Sequence, residues 1–304
     1  LIGSLRISVT PDCNLKCIYC HKEGYRETVS RERFTPDEIA RIANIATGIG
    51  VRKIKITGGE PLLRKDIAEI LRKLSELKKI SVLSITTNGV FLKKFLEENP
   101  DIYLDRINVS LDTLRKEVYA SIGGQDTLEE VLEGIKKAVS IGIPVEINTL
   151  VLKEKNLDEI DDIIVFANDV GCNIQFIELI ETRENKEFYG DNYYPISELE
   201  KYLEKRADSL EVRRSKYDRM VYHVGNSQIV TCKAVQDPDE CSGLRCKLLR
   251  ITADGKLRFF MIDDDRYVFD LLGPIRRGIS DEEIMEILSE AAKLSKQIRQ
   301  RSTI

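Results

Sequence analysis

Residues 5–20 read Leu-Arg-Ile-Ser-Val-Thr-Pro-Asp-Cys-Asn-Leu-Lys-Cys-Ile-Tyr-Cys, a strand-like run that leads directly into three cysteines. Side chains two apart share one face of a strand. Leu5, Ile7 and Val9 therefore fall on one side, and Arg6, Ser8 and Thr10 on the other. Reactive side chains placed just beyond the C-terminal end of a strand are how barrel enzymes build their active-site loops.

The same alternation recurs along the chain. Lys53, Lys55 and Thr57 oppose Ile54 and Ile56; Ser84, Thr86 and Asn88 oppose Leu83 and Ile85; Arg106, Asn108, Ser110 and Asp112 oppose Ile107, Val109 and Leu111. Strands are expected at 5–10, 53–57, 81–87, 106–111, 145–151 and 173–179, with helices near 36–48, 66–77, 91–97, 127–141 and 157–170. Strands alternating with helices predict an α/β fold with a parallel sheet, joined by right-handed connections. Six such units predict a partial, TIM-like (β/α)6 barrel, open at one side. Helices cover the apolar face, so the polar face points into a wet lumen able to hold a polar ligand. The alternative is a one-sided sheet whose polar residues face solvent.

Residues from about 215 change character. Segments 219–232 and 248–262 read as β-structure, Ala253-Asp254-Gly255-Lys256 as a hairpin turn, and 280–300 as a charged amphipathic helix. The expected organisation is thus a barrel over 1–214 and a C-terminal α+β extension over 215–304 that closes the open side.

The formal charge of −4 over 304 residues is nearly balanced and gives no support to a nucleic-acid or anionic-membrane partner. No run approaches the ~18 apolar residues of a membrane span, and there is no signal-peptide pattern, so a cytoplasmic location is expected. The chain opens on Leu1 without an initiator Met, and some native N-terminal residues are expected to be missing. Its only histidines are His21 and His223, which weakens any mechanism built on histidine bases.

Seven cysteines in such a chain point to metal or redox chemistry. Cys13, Cys17 and Cys20 gather at the front, Cys232, Cys241 and Cys246 near the back, and Cys172 stands alone as an expected core residue. Three thiolates satisfy three irons of a cubane cluster and leave the fourth without a protein ligand. An open coordination position is what a metal needs to activate a small molecule. A Cys3His zinc site completed by His21 is the competing reading, although zinc sites usually pair their cysteines as C-x2-C.

The spacing C-x3-C-x2-C, with the aromatic Tyr19 before the last cysteine, resembles the signature of the radical S-adenosylmethionine superfamily. That resemblance implies a 4Fe–4S cluster on Cys13, Cys17 and Cys20 as the catalytic centre. It further implies chelation of S-adenosylmethionine by the open iron, and reductive cleavage to a 5′-deoxyadenosyl radical. The superfamily's fold is also a six-stranded partial barrel. Gly58-Gly59-Glu60-Pro61 resembles its GGEP motif: the glycines allow close backbone approach to the ligand, and Glu60 offers an acceptor for its ammonium. Thr86, Asn88, Ser110 and Asn148 match positions that hold S-adenosylmethionine, with Tyr19 beside them. Ordinary β-edge hydrogen bonding is the plainer role for Thr86, Asn88 and Ser110.

Within the superfamily, LRISVTPDCNLKCIYC, KIKITGGEPLLR, SITTNGV, RINVSLDTL, NLDEIDDIIVFA, FIEL and LRITADGKL resemble the GTP 3′,8-cyclases of molybdenum-cofactor biosynthesis over nearly the whole chain. The resemblance implies GTP as substrate and a second, C-terminal three-cysteine cluster that holds the base. It also implies a reductant such as ferredoxin or flavodoxin, and transfer of product to a cyclic pyranopterin synthase. Lys53, Lys55 and Arg250 match phosphate-binding positions.

The departures are substantive. Cys241 precedes Cys246 by five residues where the family has three, and Phe260 stands at the third cysteine's position. Cys232 supplies a replacement in a C-x8-C-x4-C set; otherwise the three are buried thiols. Glu146 stands where the family has a triphosphate-binding lysine, which predicts repulsion of several kcal/mol in a partly dry site. Gln175 and Leu248 replace family arginines, the GR pair before the first strand is missing, and the chain ends Ser302-Thr303-Ile304 rather than Gly-Gly. The sequence is compatible with three readings: a GTP 3′,8-cyclase-like enzyme, a diverged single-cluster paralogue with a less anionic substrate, and a binding protein without turnover.

Overall fold

A computed structural model describes residues 2–21, 32–182, 184–213, 219–234, 248–258 and 268–301. The expected alternation is present. Strands β1 (Ser4–Ser8), β2 (Lys53–Thr57), β3 (Val82–Thr87), β4 (Arg106–Ser110), β5 (Val145–Val151) and β6 (Asn173–Glu178) alternate with helices α1 (Pro36–Ala46), α2 (Ile67–Ser75), α3 (Leu92–Glu98), α4 (Lys116–Gly123), α5 (Leu128–Ser140) and α6 (Ile160–Val170). Each strand pairs parallel with the next. Local chemistry sets the ends of these elements. Thr35 caps α1 by accepting from the Glu38 amide at 3.2 Å, while the Glu38 carboxylate accepts from the Thr35 amide at 2.8 Å, and Pro36 presets the first turn. Gly171, at φ 88°, ends α6 and turns the chain into β6.

The rest of the chain adds α7 (Lys186–Asn192), α8 (Ile196–Arg206), β7 (Ser209–Arg213), β8 (Arg219–Val224), β9 (Ser227–Cys232), β10 (Leu248–Ile251), β11 (Lys256–Arg258), β12 (Val268–Asp270), α9 (Leu272–Arg276) and α10 (Asp281–Arg301). The extension does not form a separate body. Among the described residues it continues the same sheet at both edges, in the order β12-β11-β10-β1-β2-β3-β4-β5-β6-β9-β8-β7. Strands β10 and β9 join β1 and β6 in parallel, so the expected set of six lies within a longer parallel run. The end strands β12 and β7 do not pair with one another. The turn expected at 253–256 joins β10 to antiparallel β11, with the Gly255 amide donating to the Thr252 carbonyl at 2.9 Å. Among the described residues no helix is long and apolar enough to cross a membrane.

Leu5, Ile7, Ile54, Ile56, Leu83, Ile85, Ile107, Val109, Ile147 and Ile174 are buried with Ile39, Ile42, Ile70, Leu71, Val131, Ile135, Ile163 and Ile164 of the helices in one core. Each such side chain is worth about 1.5–3 kcal/mol on burial. The opposite face does not lie open to solvent: Ser8, Thr57, Ser84 and Asn108 are also buried. Cys172 is a core residue, as its isolation in the sequence suggested; burial pushes its thiol up to about 12.

Every parallel strand delivers its C-terminal end to the same rim, and there β1 and β2 are joined unusually closely. The Gly59 amide donates to the Thr10 carbonyl at 2.6 Å, and the Glu60 amide to the Asp12 carbonyl at 2.7 Å. A Cβ on Gly58 would lie 2.6 Å from the Thr10 carbonyl oxygen, and one on Gly59 would lie 2.2 Å from that of Asp12. The two glycines thus make room for the chain's own backbone, the segment that leads into Cys13.

Two outcomes are expected. Gly59→Ala should displace the 10–12 segment at a cost of about 1–3 kcal/mol, the usual range for overpacking, seen as a lower melting temperature and reduced iron uptake on anaerobic reconstitution. In the cluster-free chain, alkylation at neutral pH should mark exposed Cys13 and Cys20 and spare Cys172 until the chain is unfolded, as read by peptide mass mapping.

Candidate functional site

The loop carrying the three cysteines lies across the rim and is fastened on several sides. The Lys16 amide donates to the Gly123 carbonyl at 2.9 Å and the Ile18 amide to the Ile122 carbonyl at 3.1 Å, so the C-terminal end of α4 supplies free carbonyls to it. Gln125 Nε2 reaches the Asn14 carbonyl at 2.8 Å. Within the loop the Cys20 amide closes a turn on the Cys17 carbonyl at 2.9 Å. Cys13 and Cys20 are exposed, and Cys17 is half-buried.

Burial raises the Cys13 thiol. Cys17 is pushed up to about 12, first by burial, then by the Asp112 charge, then by Cys20 and Cys13. Three thiolates this close oppose one another, so their ionisation is coupled to arrival of a metal. Among the described residues no three His, Cys, Asp or Glu side chains are gathered tightly enough for a single ion. A cubane takes its three thiolates on three separate irons, and this donor set suits it.

Glu60 turns inward. Its carboxylate is fully buried and accepts from Thr87 Oγ1 at 2.7 Å, the Leu62 amide at 2.9 Å and the Asn88 amide at 2.6 Å. Burial pushes it up to about 7, against the pull of those hydrogen bonds. A side chain in this position braces the β2 turn against the end of β3. Asn88 Nδ2 donates to Asn14 Oδ1 at 2.8 Å and lies 3.9 Å from Cys13 Sγ, so it borders the cysteine loop directly.

Thr86, Ser110 and Asn148 are half-buried on the polar face. Ser110 pairs in register with Asn148, and Thr86 with Asn108. Thr86 Oγ1 and Asn108 Oδ1 are buried without a hydrogen-bond partner, the condition of groups that await a ligand or a water. Tyr19 donates its hydroxyl to Asp112 Oδ2, and Asp112 Oδ1 accepts from the Leu150 amide at 2.8 Å. Asp112 was visible in the sequence only as a polar-face residue; its tie to the cysteine loop spans 93 positions and has no local signal.

The cations expected to bind phosphate belong to a larger set. Arg258 pairs with Arg250, Arg250 with Arg6, and Arg6 with Lys55. Register partners share a face, so four cationic residues stand side by side on β11, β10, β1 and β2, with Lys53 two positions before Lys55. Arg6 and Arg258 were not among the sequence-derived candidates; only the register reveals them. Across the sheet, Glu146 accepts from Arg106 Nη1 at 2.9 Å and from Asn108 Nδ2 at 2.6 Å. The repulsion expected from this carboxylate is thus offset locally, since Arg106 neutralises it. Cys232 ends β9, half-buried. Cys241, Cys246 and Phe260 lie outside the described residues.

Comparison with known proteins agrees with this geometry. Residues 7–167 match the model of the Radical SAM superfamily, and residues 172–300 match that named Molybdenum Cofactor Synthesis C. A probable GTP 3′,8-cyclase of Pyrococcus horikoshii is 41% identical over 297 residues, covering 96% of this chain and 94% of the relative. Proteins of the same name from Methanocaldococcus jannaschii and Sulfurisphaera tokodaii are 40% and 37% identical, covering 91% and 98% of this chain and 90% and 93% of theirs. Among solved structures, Streptococcus suis SuiB bound to S-adenosylmethionine superposes with a TM-score of 0.68 at 18% identity; the match covers 88% of this chain and 62% of that one. The structure of anSMEcpe with bound AdoMet gives a TM-score of 0.59 at 17% identity, covering 96% and 80%. At such identities these two show the shared α/β fold and its mostly parallel sheet. A cysteine triplet at the rim of that sheet, and relatives matched along almost their full length, lead to one conclusion: this chain belongs to the radical SAM superfamily and, within it, to the family of the GTP 3′,8-cyclases.

Proposed function

We propose that the chain is a GTP 3′,8-cyclase acting in molybdenum cofactor biosynthesis. The observation that carries this reading is the row Arg258, Arg250, Arg6 and Lys55 on the face whose strands end at the cysteine loop. A row of cationic side chains on adjacent strands suits a polyanion such as a triphosphate. The radical SAM superfamily uses a 4Fe–4S cluster and S-adenosylmethionine. Together, when bound, they supply a 5′-deoxyadenosyl group that takes a hydrogen from substrate. Cys13, Cys17 and Cys20 hold the cluster, and Asn88, Thr86, Ser110 and Asn148 line the S-adenosylmethionine site beside it, with the Tyr19 ring at its edge. Gly58, Gly59 and Glu60 shape the turn that sets the height of the loop. Lys53, Lys55 and Arg250, joined by Arg6 and Arg258, orient the phosphates. No side-chain base is required for hydrogen abstraction.

The sheet is read as a partial barrel over 1–214, its polar face concave; burial of Ser8, Thr57, Ser84 and Asn108 on the face opposite the helix-packed core supports this. The 215–304 extension brings Arg250 and Cys232 to the substrate side, where Cys232, Cys241 and Cys246 hold a second cluster. The setting is cytoplasmic, with electrons from a ferredoxin or flavodoxin and product delivered to a cyclic pyranopterin synthase. A second reading, a single-cluster paralogue with a less anionic substrate, is favoured by the Glu146–Arg106 pair, which withdraws one cation from the polar face.

Anaerobic turnover with GTP, S-adenosylmethionine and strong reductant should give 5′-deoxyadenosine together with a cyclised nucleotide; 5′-deoxyadenosine alone would favour the second reading. Reconstituted protein should hold about eight irons, falling to about four in a Cys232/Cys241/Cys246→Ala variant, as two cubanes require. Lys55→Ala should raise KM for GTP about 10–100-fold, the loss of one charge-assisted contact of about 1.5–3 kcal/mol, with cluster content unchanged.

A further inference from the structure

Tyr19 lies between two of the cluster ligands, yet its hydroxyl points into the protein. It donates to Asp112 Oδ2. Asp112 follows β4 and is itself fixed, because Oδ1 accepts from the Leu150 amide of β5 at 2.8 Å. The Tyr19 ring packs on a small apolar cluster of Ile122, Leu152 and Leu179, which Phe188 and Tyr189 of α7 also join. The loop is therefore tied at Tyr19 to the ends of β4, β5 and β6 and to two helices.

We propose that Asp112 is a positioning residue for the iron–sulfur cluster: it holds the Tyr19 hydroxyl and, through it, the Cys17–Cys20 span, and it places a carboxylate next to that span. The inference rests on the assignment of that cluster to Cys13, Cys17 and Cys20. A carboxylate at that place does two separable things. It anchors the loop, so that Cys17 and Cys20 present their sulfurs at a constant spacing. When ionised, it would also disfavour an electron added to the cluster and so lower the reduction potential, as nearby negative charge does. A low potential is what reductive cleavage of a sulfonium demands. The hydroxyl is needed for the anchor and the charge for the potential, so single substitutions separate them.

The test uses the reconstituted full chain, with Tyr19→Phe, Asp112→Asn and Asp112→Glu beside wild type. Iron and sulfide content with the EPR signal of the reduced wild type come first; absence of a four-iron cluster there would sink the cluster assignment itself. With the cluster present, Asp112→Asn should move the midpoint potential, read by EPR-monitored titration, to less negative values, and Asp112→Glu should restore it toward wild type. Tyr19→Phe keeps the charge, so it should not raise the potential, but it should lose iron to a chelator several-fold faster than wild type. A potential unchanged in Asp112→Asn, together with wild-type chelator resistance in Tyr19→Phe, would overturn the proposal. If Asp112→Asn does not fold, the chelator rate of Tyr19→Phe decides alone, because removing one hydroxyl leaves the ring packing in place.

Discussion

The backbone of residues 10–12 and the turn at Gly58-Gly59 approach so closely that a single methyl group at Gly59 would stand 2.2 Å from a carbonyl oxygen. Two hydrogen bonds hold them there, at 2.6 and 2.7 Å, and the cysteine loop begins one residue later. The rest of the rim depends on that junction. Glu60, the next residue, folds its carboxylate inward onto Thr87 and the Asn88 amide, which sets where Asn88 stands; Asn88 in turn meets Asn14. Three strand ends are thereby locked to one another by the chain's own hydrogen bonds. A loop preorganised in this way spends little of the metal's binding energy on ordering the chain.

Electrostatically the polar face is divided. Arg258, Arg250, Arg6 and Lys55 make one side cationic, whereas β4 and β5 carry Arg106 and Glu146 as a pair with Asn108 and Asn148 between and beside them. An ion pair like this contributes little attraction at a distance, because the two charges largely cancel beyond a few ångströms. The pair leaves the β4–β5 side nearly neutral, with Asn108 Oδ1 and, on neighbouring β3, Thr86 Oγ1 buried beside it.

Much of this was legible in the sequence because it is local or periodic. Alternation at period two located β1 to β6, and the mixed polar face of Arg6, Ser8, Lys55, Ser84 and Asn108 set apart the face opposite the helix-packed core. The triplet Cys13, Cys17, Cys20 announced the rim. What stayed hidden depends on register or on long-range contact. Arg258 becomes part of the cationic row only through pairing with Arg250, and Asp112 acquires meaning only from a tyrosine 93 positions away. Helix α4 was passed over because its eight residues, KEVYASIG, have no side-chain cap and too short an apolar stripe; packing rather than propensity forms it. The inward turn of the Glu60 carboxylate onto Thr87 and Asn88 was likewise hidden, because a motif records which residue is present, not which way its side chain points.

Strand β1 has β2 on one side and β10 on the other. Its second partner is more than two hundred residues further along the chain, so one flank of β1 stays unpaired until that partner has been made. An open strand flank is a template for wrong pairing, and distant partners slow folding. The nascent chain therefore spends its vulnerable interval with its cysteine-bearing end least supported, and the native arrangement of that end is complete only when residues 248–251 have been translated and docked.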